Sequence, residues 1–375
     1  MDGLTTRTWR EVSLDNIVHN YKVLKKAAEP AKCLAVVKAN AYGHGALRTA
    51  AALQGAGCDY FAVATPDEAL ELRGGGITSP ILILGYTPPE YIPLMTENCI
   101  TVCVASLDAA KAYNAAADGY DEKLGIHIKI DSGMGRLGLR FSKTENHIAD
   151  AVEILSLENL HAEGIFTHFS VSETDDRDYT LGQFENFKAA ISEIEKAADY
   201  EFEIRHCTNS GAFINYPETY LDMVRPGILL YGHAPGETLG GLDLRPCMEL
   251  KSRIFSIKDM PEGASVSYGR RYKAPSPRRI AVIPIGYADG LHRTLSGKID
   301  VLIGGRRARQ VGSICMDMCM VDITDIPNAH IGETAVIFGG DENEYIPCEE
   351  LAEKAGTISY EILCAPSHRI PILYK

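Results

Sequence analysis

No stretch of this chain approaches the ~20 consecutive apolar residues that a membrane-spanning helix requires. The opening residues, MDGLTTRTWR, contain neither an apolar h-region nor a small-residue cleavage site. Export and membrane insertion are therefore not expected, and the expected compartment is the cytoplasm. Basic charge is also short, with 37 Lys and Arg against 50 Asp and Glu and a formal net charge of -13. Nucleic acids and anionic membranes need a basic face, so neither is an expected partner. Ten cysteines are present, but none forms a C-x-x-C pair. The C-x3-C spacings that begin at Cys99 and Cys315 lack a second half with histidine, so no metal site is expected. Most of the cysteines lie in apolar runs and read as buried free thiols in a reducing compartment. Internal repeats and low-complexity segments are absent as well.

What is present is an ordinary soluble composition, 46% hydrophobic and 23% charged, over 375 residues, enough for about two domains. Eight short apolar runs occupy the first two-thirds: Cys33–Lys38, Tyr60–Ala64, Ile81–Gly85, Ile100–Val104, Ile126–Asp131, Gly164–Phe169, Ile204–Asn209 and Val224–Tyr231. Helix-like segments separate them, including Asp67–Arg73, Leu107–Ala117, Ile148–Leu157 and Phe184–Ala198, and Leu14–Ala28 precedes them. Strands alternating with helices imply parallel strands and right-handed crossovers. Eight such units predict an α/β fold, a (β/α)8 TIM-type barrel over residues 12–235, with a doubly wound open sheet as the alternative. Beyond Pro235 the alternation stops at a glycine-rich connector. Short strands at Leu250–Ile257, Arg279–Ile285, Ile299–Ile303, Ala308–Ser313, Met318–Ile323 and Ala335–Phe338 then predict a mainly β C-terminal domain, 236–375. A helix at Pro347–Ala355 interrupts it, and an N-terminal strand within 1–11 is expected to join it.

Lys38 stands at the C-terminal end of the first buried run, where an ammonium is costly to keep charged. A lysine neutral near pH 7 is a nucleophile suited to Schiff-base chemistry; the plainer reading is a packed stem with a solvated head. In GIHIKIDSGMGRLG, Ile126, Ile128 and Ile130 alternate with His127, Lys129 and Asp131, so the polar set would face a barrel lumen. Lys129 then needs a partner such as Asp131, or a modification. Arg136 follows two glycines on a strand-end loop and can offer its planar fork to a carboxylate. His168 closes GIFTHF, either as a packed residue or as a functional one. In HCTNSG, Asn209, Ser210 and Gly211 sit where a strand meets a helix start, which is either a plain turn or an anion site in which Ser210 binds a phosphate. Arg225, in MVRPGILLYG, cannot give up its proton, so any ring nitrogen facing it must stay an unprotonated acceptor. The other reading is a surface arginine before a proline.

The string VKANAYGHG, with GIHIKIDSGMGRLG, GIFTHF, HCTNSG, MVRPGILLYG, SVSYGRRY, PIGYADG, SICMDM and TISYEILC in that order, resembles the alanine racemases from Trp9 to Arg369. The resemblance implies a pyridoxal 5'-phosphate enzyme that interconverts L- and D-alanine and supplies D-alanine for bacterial peptidoglycan. It implies Lys38 as the Schiff-base residue and one base, and Tyr268 of the partner subunit as the other. Tyr42, His168, Asn209, Ser210, Arg225, Gly227, Ile228 and Tyr360 would hold the cofactor, with His168 on its ring. Arg136, Tyr287, Cys315, Met316 and Asp317 would meet the amino-acid substrate or line its entrance. Lys129 would be carbamylated, N6-carboxylysine, and steady Arg136. The active unit would be a homodimer with shared sites. Relatives often carry arginine where this chain has Ser313, and the ending HRIPILYK differs from the usual basic one.

Other classes remain to be separated. A pyridoxal-phosphate carrier on the same barrel lacks a C-terminal β domain and a counterpart of Tyr268. A decarboxylase of similar architecture places an acid at the ring nitrogen, which Arg225 opposes. A serine-preferring racemase tends to have a smaller residue in place of Tyr360.

Overall fold

In the computed structural model, which describes residues 6–142, 144–340 and 343–375, the eight apolar runs contain eight parallel strands. They are β1 Lys32–Val36, β2 Tyr60–Val63, β3 Ile81–Ile83, β4 Thr101–Val104, β5 Leu124–Asp131, β6 Leu160–Phe166, β7 Ile204–His206 and β8 Met223–Val224. Each pairs with the next up to β7, and β8 returns to β1 through Met223↔Lys32 and Val224↔Cys33. Between β7 and β8 the ladder gives way to single bonds: Asp222 N–H donates to the Arg205 carbonyl (3.1 Å) and Arg225 N–H to the Thr208 carbonyl (3.0 Å). The barrel is nearly closed, as expected, and the open sheet is excluded. Its strands are covered on both faces, so Ala35, Phe61, Leu82, Val102, Ile126 and Ile128 are all fully buried. This is why most of them read as continuous apolar runs, whereas β5 alternates.

Helices Leu14–Ala28, Ala46–Gly55, Pro66–Gly74, Leu107–Ala116, Ile148–Leu155 and Arg177–Ala198 fall between or before these strands. Their start signals work locally: Thr65 Oγ1 accepts from Glu68 N–H (3.3 Å) and Ser106 Oγ from Ala109 N–H (3.2 Å). The last of these helices begins at Arg177 rather than at Phe184, where its apolar spacing starts, because the Asp176 carboxylate caps it by accepting from Tyr179 N–H (3.2 Å). Most of the barrel strands end short of the predicted runs. The run Val224–Tyr231 is broken by Pro226, which has no N–H to donate, and Ile228–Tyr231 becomes a 3-10 turn. The run Cys33–Lys38 leaves the strand at Val36.

By contact the chain forms two units, one of Asp15–Ala41 and Gly45–Pro246, the other of Met1–Leu14, Tyr42–His44 and Cys247–Lys375. The second unit is built on one sheet in the order Ser256–Met260, Arg278–Ile283, Cys319–Asp322, Arg306–Val311, Asp300–Ile303, Thr334–Gly340, Met248–Arg253, Thr8–Val12, Ile372–Tyr374. Thr8–Val12 runs antiparallel to Met248–Arg253 and parallel to Ile372–Tyr374. The expected N-terminal strand thus has partners from residue 8 onward, while its residues 1–5 lie outside the described ones. The single strand expected at Leu250–Ile257 is two, and Ser359–Cys364 is a helix that the pattern did not show. All ten cysteines are free thiols; seven are buried, Cys315 is half-buried, and Cys99 and Cys364 are exposed. Among the described residues no helix is long and apolar enough to cross a membrane.

Candidate active site

The C-terminal ends of a barrel's strands carry its loops, and at the end of β1 the backbone turns left-handed. Ala39, Asn40, Ala41 and Tyr42 have φ of 52°, 54°, 54° and 52° in succession. For residues with a Cβ, such a conformation costs about 1–2 kcal/mol each, so it must be imposed by its surroundings. Glu68 supplies part of that. One carboxylate oxygen accepts from Ala39 N–H (2.6 Å) and the other from Ala64 N–H (2.8 Å), stitching the ends of β1 and β2. Asn40 supplies more: its carbonyl accepts from Gly45 N–H (2.9 Å) and its Oδ1 from Ala46 N–H (2.8 Å). Lys38 begins this turn and is half-buried. Just past the left-handed run, Gly43 (φ 80°) would place a Cβ 2.3 Å from the Leu363 carbonyl, so only glycine fits there.

Within the barrel, Arg225 is buried and donates from both of its terminal nitrogens. Nη1 donates to His206 Nδ1 (3.0 Å), and Nη2 donates to the carbonyls of Thr167 (2.8 Å) and Cys207 (3.0 Å) and to His168 Nδ1 (3.3 Å). Burial lowers its guanidinium to about 10, still charged at neutral pH. Its Nε–H has no acceptor among the described residues. A guanidinium only donates, so His206 Nδ1 must accept and its Nε2 must carry the proton. That Nε2–H faces His127 Nδ1 (2.8 Å), and His127 Nε2 in turn faces Glu163 Oε2 (3.3 Å), which also accepts from the Tyr60 hydroxyl (3.0 Å). Burial, with Arg225 beside it, holds His206 well below the ordinary histidine range and therefore neutral. Burial opposes the charge of Glu163, but its bonds from His127 and Tyr60 outweigh that and hold the carboxyl below its ordinary range. The result is an ordered chain, a permanent cation at one end and a carboxylate at the other, with each imidazole fixed in one tautomer.

The polar residues of β5 fall on one face, as the alternation predicts. Lys129 Nζ lies 4.3 Å from the centre of the Phe166 ring. Burial first, then the Arg225 guanidinium, push its ammonium down to about 7. No carboxylate lies within ion-pair distance of it among the described residues. Asp131 instead accepts from the N–H groups of Gly133 (3.0 Å) and Gly135 (3.0 Å), shaping the loop that carries the exposed Arg136. His168 is held well below its ordinary range by burial first, and then by the basic side chains of Lys129, Arg225, Arg136 and Lys38. Four of the sequence-predicted residues thus gather around a neutral imidazole.

At the ends of β7 and β8, Ser210 opens the helix Ser210–Asn215 and Gly227 precedes the turn Ile228–Tyr231. Gly227 N–H donates to Ser210 Oγ (2.9 Å), pinning the two helical starts side by side. Asn209 is committed to the fold: its Oδ1 accepts from Ala212 N–H (2.9 Å) and from the Ser172 hydroxyl (2.7 Å), and its Nδ2 donates to the Phe169 carbonyl (3.3 Å).

The remaining predicted residues lie in the second unit. Tyr287 N–H donates to the Cys315 carbonyl and Ala288 N–H to the Met316 carbonyl, both 3.0 Å, which draws Tyr287, Cys315 and Met316 together. Asp317 pairs with Arg369 (2.8 Å), which also reaches the buried Asp289 (3.4 Å). Tyr268 is 72% exposed, Met316 53% and Tyr287 43%, an unusual concentration of bare apolar area. Tyr42 is counted in this unit too, with its ring centre 5.9 Å from that of Tyr360. Burial and the neighbouring Tyr360 raise its hydroxyl above the ordinary tyrosine range.

The sequence reading missed Glu68, His206, His127 as a relay member, and Glu163. His206 lay inside a quoted motif, and the alternation turned His127 inward, so both left a signal. Glu68 and Glu163 left none, because their partners are set by strand register.

Comparison with known proteins places this geometry. The model of the N-terminal domain of alanine racemases matches residues 12–235 and that of the C-terminal domain matches 247–374. An alanine racemase 2 from Caldanaerobacter subterraneus subsp. tengcongensis is 44% identical over 97% of this chain and 94% of that protein. A solved alanine racemase from Clostridium difficile 630 superposes with a TM-score of 0.93 at 40% identity, covering 99% of this chain and 96% of the other. The same enzyme solved in complex with cycloserine superposes with a TM-score of 0.90 at 39% identity, covering 99% and 96%.

Proposed function

This chain belongs to the alanine racemase family of isomerases, and from that premise we propose that it binds pyridoxal 5'-phosphate and works with two bases, Lys38 and Tyr268 of the partner subunit. The observation that carries the reading is the wiring of Arg225. Four bonds hold the two terminal nitrogens, and Nε–H, like the second N–H of Nη1, is a charged donor with no acceptor among the described residues. That fits a group with a basic ring nitrogen. The paired helical starts at Ser210 and Ile228 fit its phosphate, since first-turn N–H groups lack partners of their own and follow strands seven and eight of the barrel.

Bound at Lys38, the cofactor supplies an electron sink joined to the substrate nitrogen, which acidifies the hydrogen on Cα. Lys38 Nζ, besides holding the cofactor, would take or return a proton at Cα on one face. Tyr268 Oη would do so on the other. The family resemblance assigns the lysine to D-alanine and the tyrosine to L-alanine. Arg136 orients the substrate carboxylate, Met316, Cys315, Tyr287 and Asp317 line its entrance, and Tyr42 and Tyr360 bound the cofactor end. His168, kept neutral first of all by its burial, would lie against the ring without adding charge. Arg225 donates and never yields its proton, so the ring nitrogen stays unprotonated and side reactions such as transamination are suppressed. The product fits a supply of D-alanine for peptidoglycan in the cytoplasm, where free thiols are stable.

A direct assay of L-alanine racemisation by purified protein tests the activity; none above background with added pyridoxal phosphate would overturn it. Arg225→Glu offers a second test. An acid facing the ring nitrogen should slow racemisation and raise the pyruvate formed per racemisation event, read with a coupled lactate dehydrogenase assay. An unchanged ratio would mean that Arg225 does not meet the ring.

Lys129 is proposed as the carbamate. An ammonium lowered to about 7 is largely neutral at physiological pH, so it can add carbon dioxide, and the product anion would sit between Arg225 and Arg136 rather than against them. Protein equilibrated with 13C-bicarbonate should show a carbamate carbon by NMR that Lys129→Ala abolishes. Its presence in both proteins, or in neither, counts against the assignment.

A further inference from the structure

We propose that Ser267 and Ser313 form a two-hydroxyl latch that fixes the backbone from which Tyr268 projects, so that the pair acts as a positioning device for that tyrosine's proton transfer. The inference rests on the reading of Tyr268 as one of the two bases.

The phenol of Tyr268 is exposed and makes no hydrogen bond among the described residues. Its placement in the chain is therefore set from its backbone. That backbone is held in conformations that residues with a Cβ rarely adopt: Ser267 has φ 65° and ψ -176°, Gly269 φ 73° and Arg270 φ 50°. Something nearby has to enforce them. Ser267 Oγ donates to the Ser313 carbonyl (2.6 Å), and Ser313 Oγ donates to the Tyr268 carbonyl (3.0 Å). The two bonds close a ring around the peptide that leads into Tyr268. Ser313 is only 1% exposed, so water does not compete for its hydroxyl. Behind the latch, Val266 and Val311 share one apolar cluster with Ile280 and Met320, which presses the two segments together. Between them Gly312 (φ 71°) would place a Cβ 2.7 Å from the Val266 carbonyl and 2.9 Å from Ser267 Cβ, so the close approach depends on glycine. The same contact sets Ser267 Oγ 3.4 Å from Cys315 Sγ, tying the tyrosine's loop to the segment that carries Met316 and Asp317.

Two variants separate positioning from stability. Ser267→Gly removes one hydroxyl while placing at φ 65° the residue that prefers it, so the fold should be at least as stable. Ser313→Ala removes the other. Solvent deuterium incorporation at Cα is then measured from L-alanine and from D-alanine. On the latch model, exchange from L-alanine falls about tenfold in each variant, the scale expected for a small misplacement of a reacting group, while exchange from D-alanine stays near wild type. In cofactor-free protein, amide hydrogen exchange of the 267–271 segment should rise in both variants, with the melting temperature of Ser267→Gly unchanged or higher. An unaltered ratio between the two enantiomers, or equal loss from both, overturns the latch. Tyr268→Phe run in parallel distinguishes the two levels of the argument. If it skews the ratio and the serine variants do not, the latch alone is wrong; if it leaves the ratio unchanged, the two-base reading falls and the latch with it.

Discussion

Lys38→Ala should lose essentially all racemisation together with the visible absorbance that pyridoxal phosphate acquires on the wild-type enzyme. The expectation rests on one amine doing two tasks, holding the cofactor and serving one face of Cα, so that no residual route survives its removal. Borohydride treatment of the wild-type enzyme, followed by peptide mapping, should recover the pyridoxyl group on Lys38 Nζ. A label on another lysine would overturn the assignment outright. The fold should be largely kept, because Glu68 and Asn40 hold the turn that follows through bonds to backbone groups. A Lys38→Ala variant that melts far below the wild type would show instead that the ammonium takes part in packing. One that keeps its melting temperature and loses its colour places the effect in the chemistry.

The second large effect concerns Tyr268. Its phenol should contribute the roughly 10²–10⁴-fold typical of a general acid–base group, so Tyr268→Phe should slow racemisation by about that factor. Whether the tyrosine serves its own barrel or a neighbour's is decided by mixing. Lys38→Ala protein should be inactive and Tyr268→Phe protein nearly so, but in a dimer that shares sites one active centre collects both lesions and the other none. With random exchange about half of the dimers are mixed and half of their sites intact, giving about a quarter of wild-type activity. No recovery, once subunit exchange has been demonstrated by mass or fluorescence, would put both residues in one chain's site. The exposure of Tyr268, Met316 and Tyr287 in one region of the second unit favours the shared arrangement, because bare apolar area of that kind marks a surface that another protein covers.

Some of the site could be read without a fold. Lys38, His168, Arg136 and Arg225 stand in strings whose residue types already limit the chemistry; the first three lie near or past the end of an apolar run, and the fold places Arg225 just past the strand Met223–Val224. In a parallel barrel all such ends fall on one side, which is why residues as far apart in the chain as Lys38 and Arg225 gather around one neutral imidazole. Other parts resisted. The strand reading carried Lys38 as the last strand residue because Ala, Asn, Ala and Tyr have no local preference for a left-handed turn. Glu68 imposes it from another element, through bonds to two backbone groups. The alternation of β5 turned Lys129 inward but left open whether Asp131 would neutralise it. In the fold Asp131 is taken by the N–H groups of Gly133 and Gly135, a local competition that pattern analysis does not weigh. Tyr42, close to Lys38 along the chain, belongs with Tyr360 in the other unit.

By itself the sequence determined the eight-strand count of the barrel, the change from alternating to mainly β architecture, the free-thiol chemistry and the residues able to react. Those properties depend on local periodicity and on side-chain type, which a linear string carries in full. Only the tertiary structure decided the states in which the reactive groups are held. His206 is neutral with its proton on Nε2 because Arg225 can only donate to Nδ1. Lys129 is lowered to about 7 because it is buried beside Arg225 with no carboxylate in reach among the described residues. Tyr268 stands on a strained backbone because two serine hydroxyls close around it. Tautomer, charge state and strain are set by distances between residues far apart in the chain, and those distances exist only once the strands have taken their register.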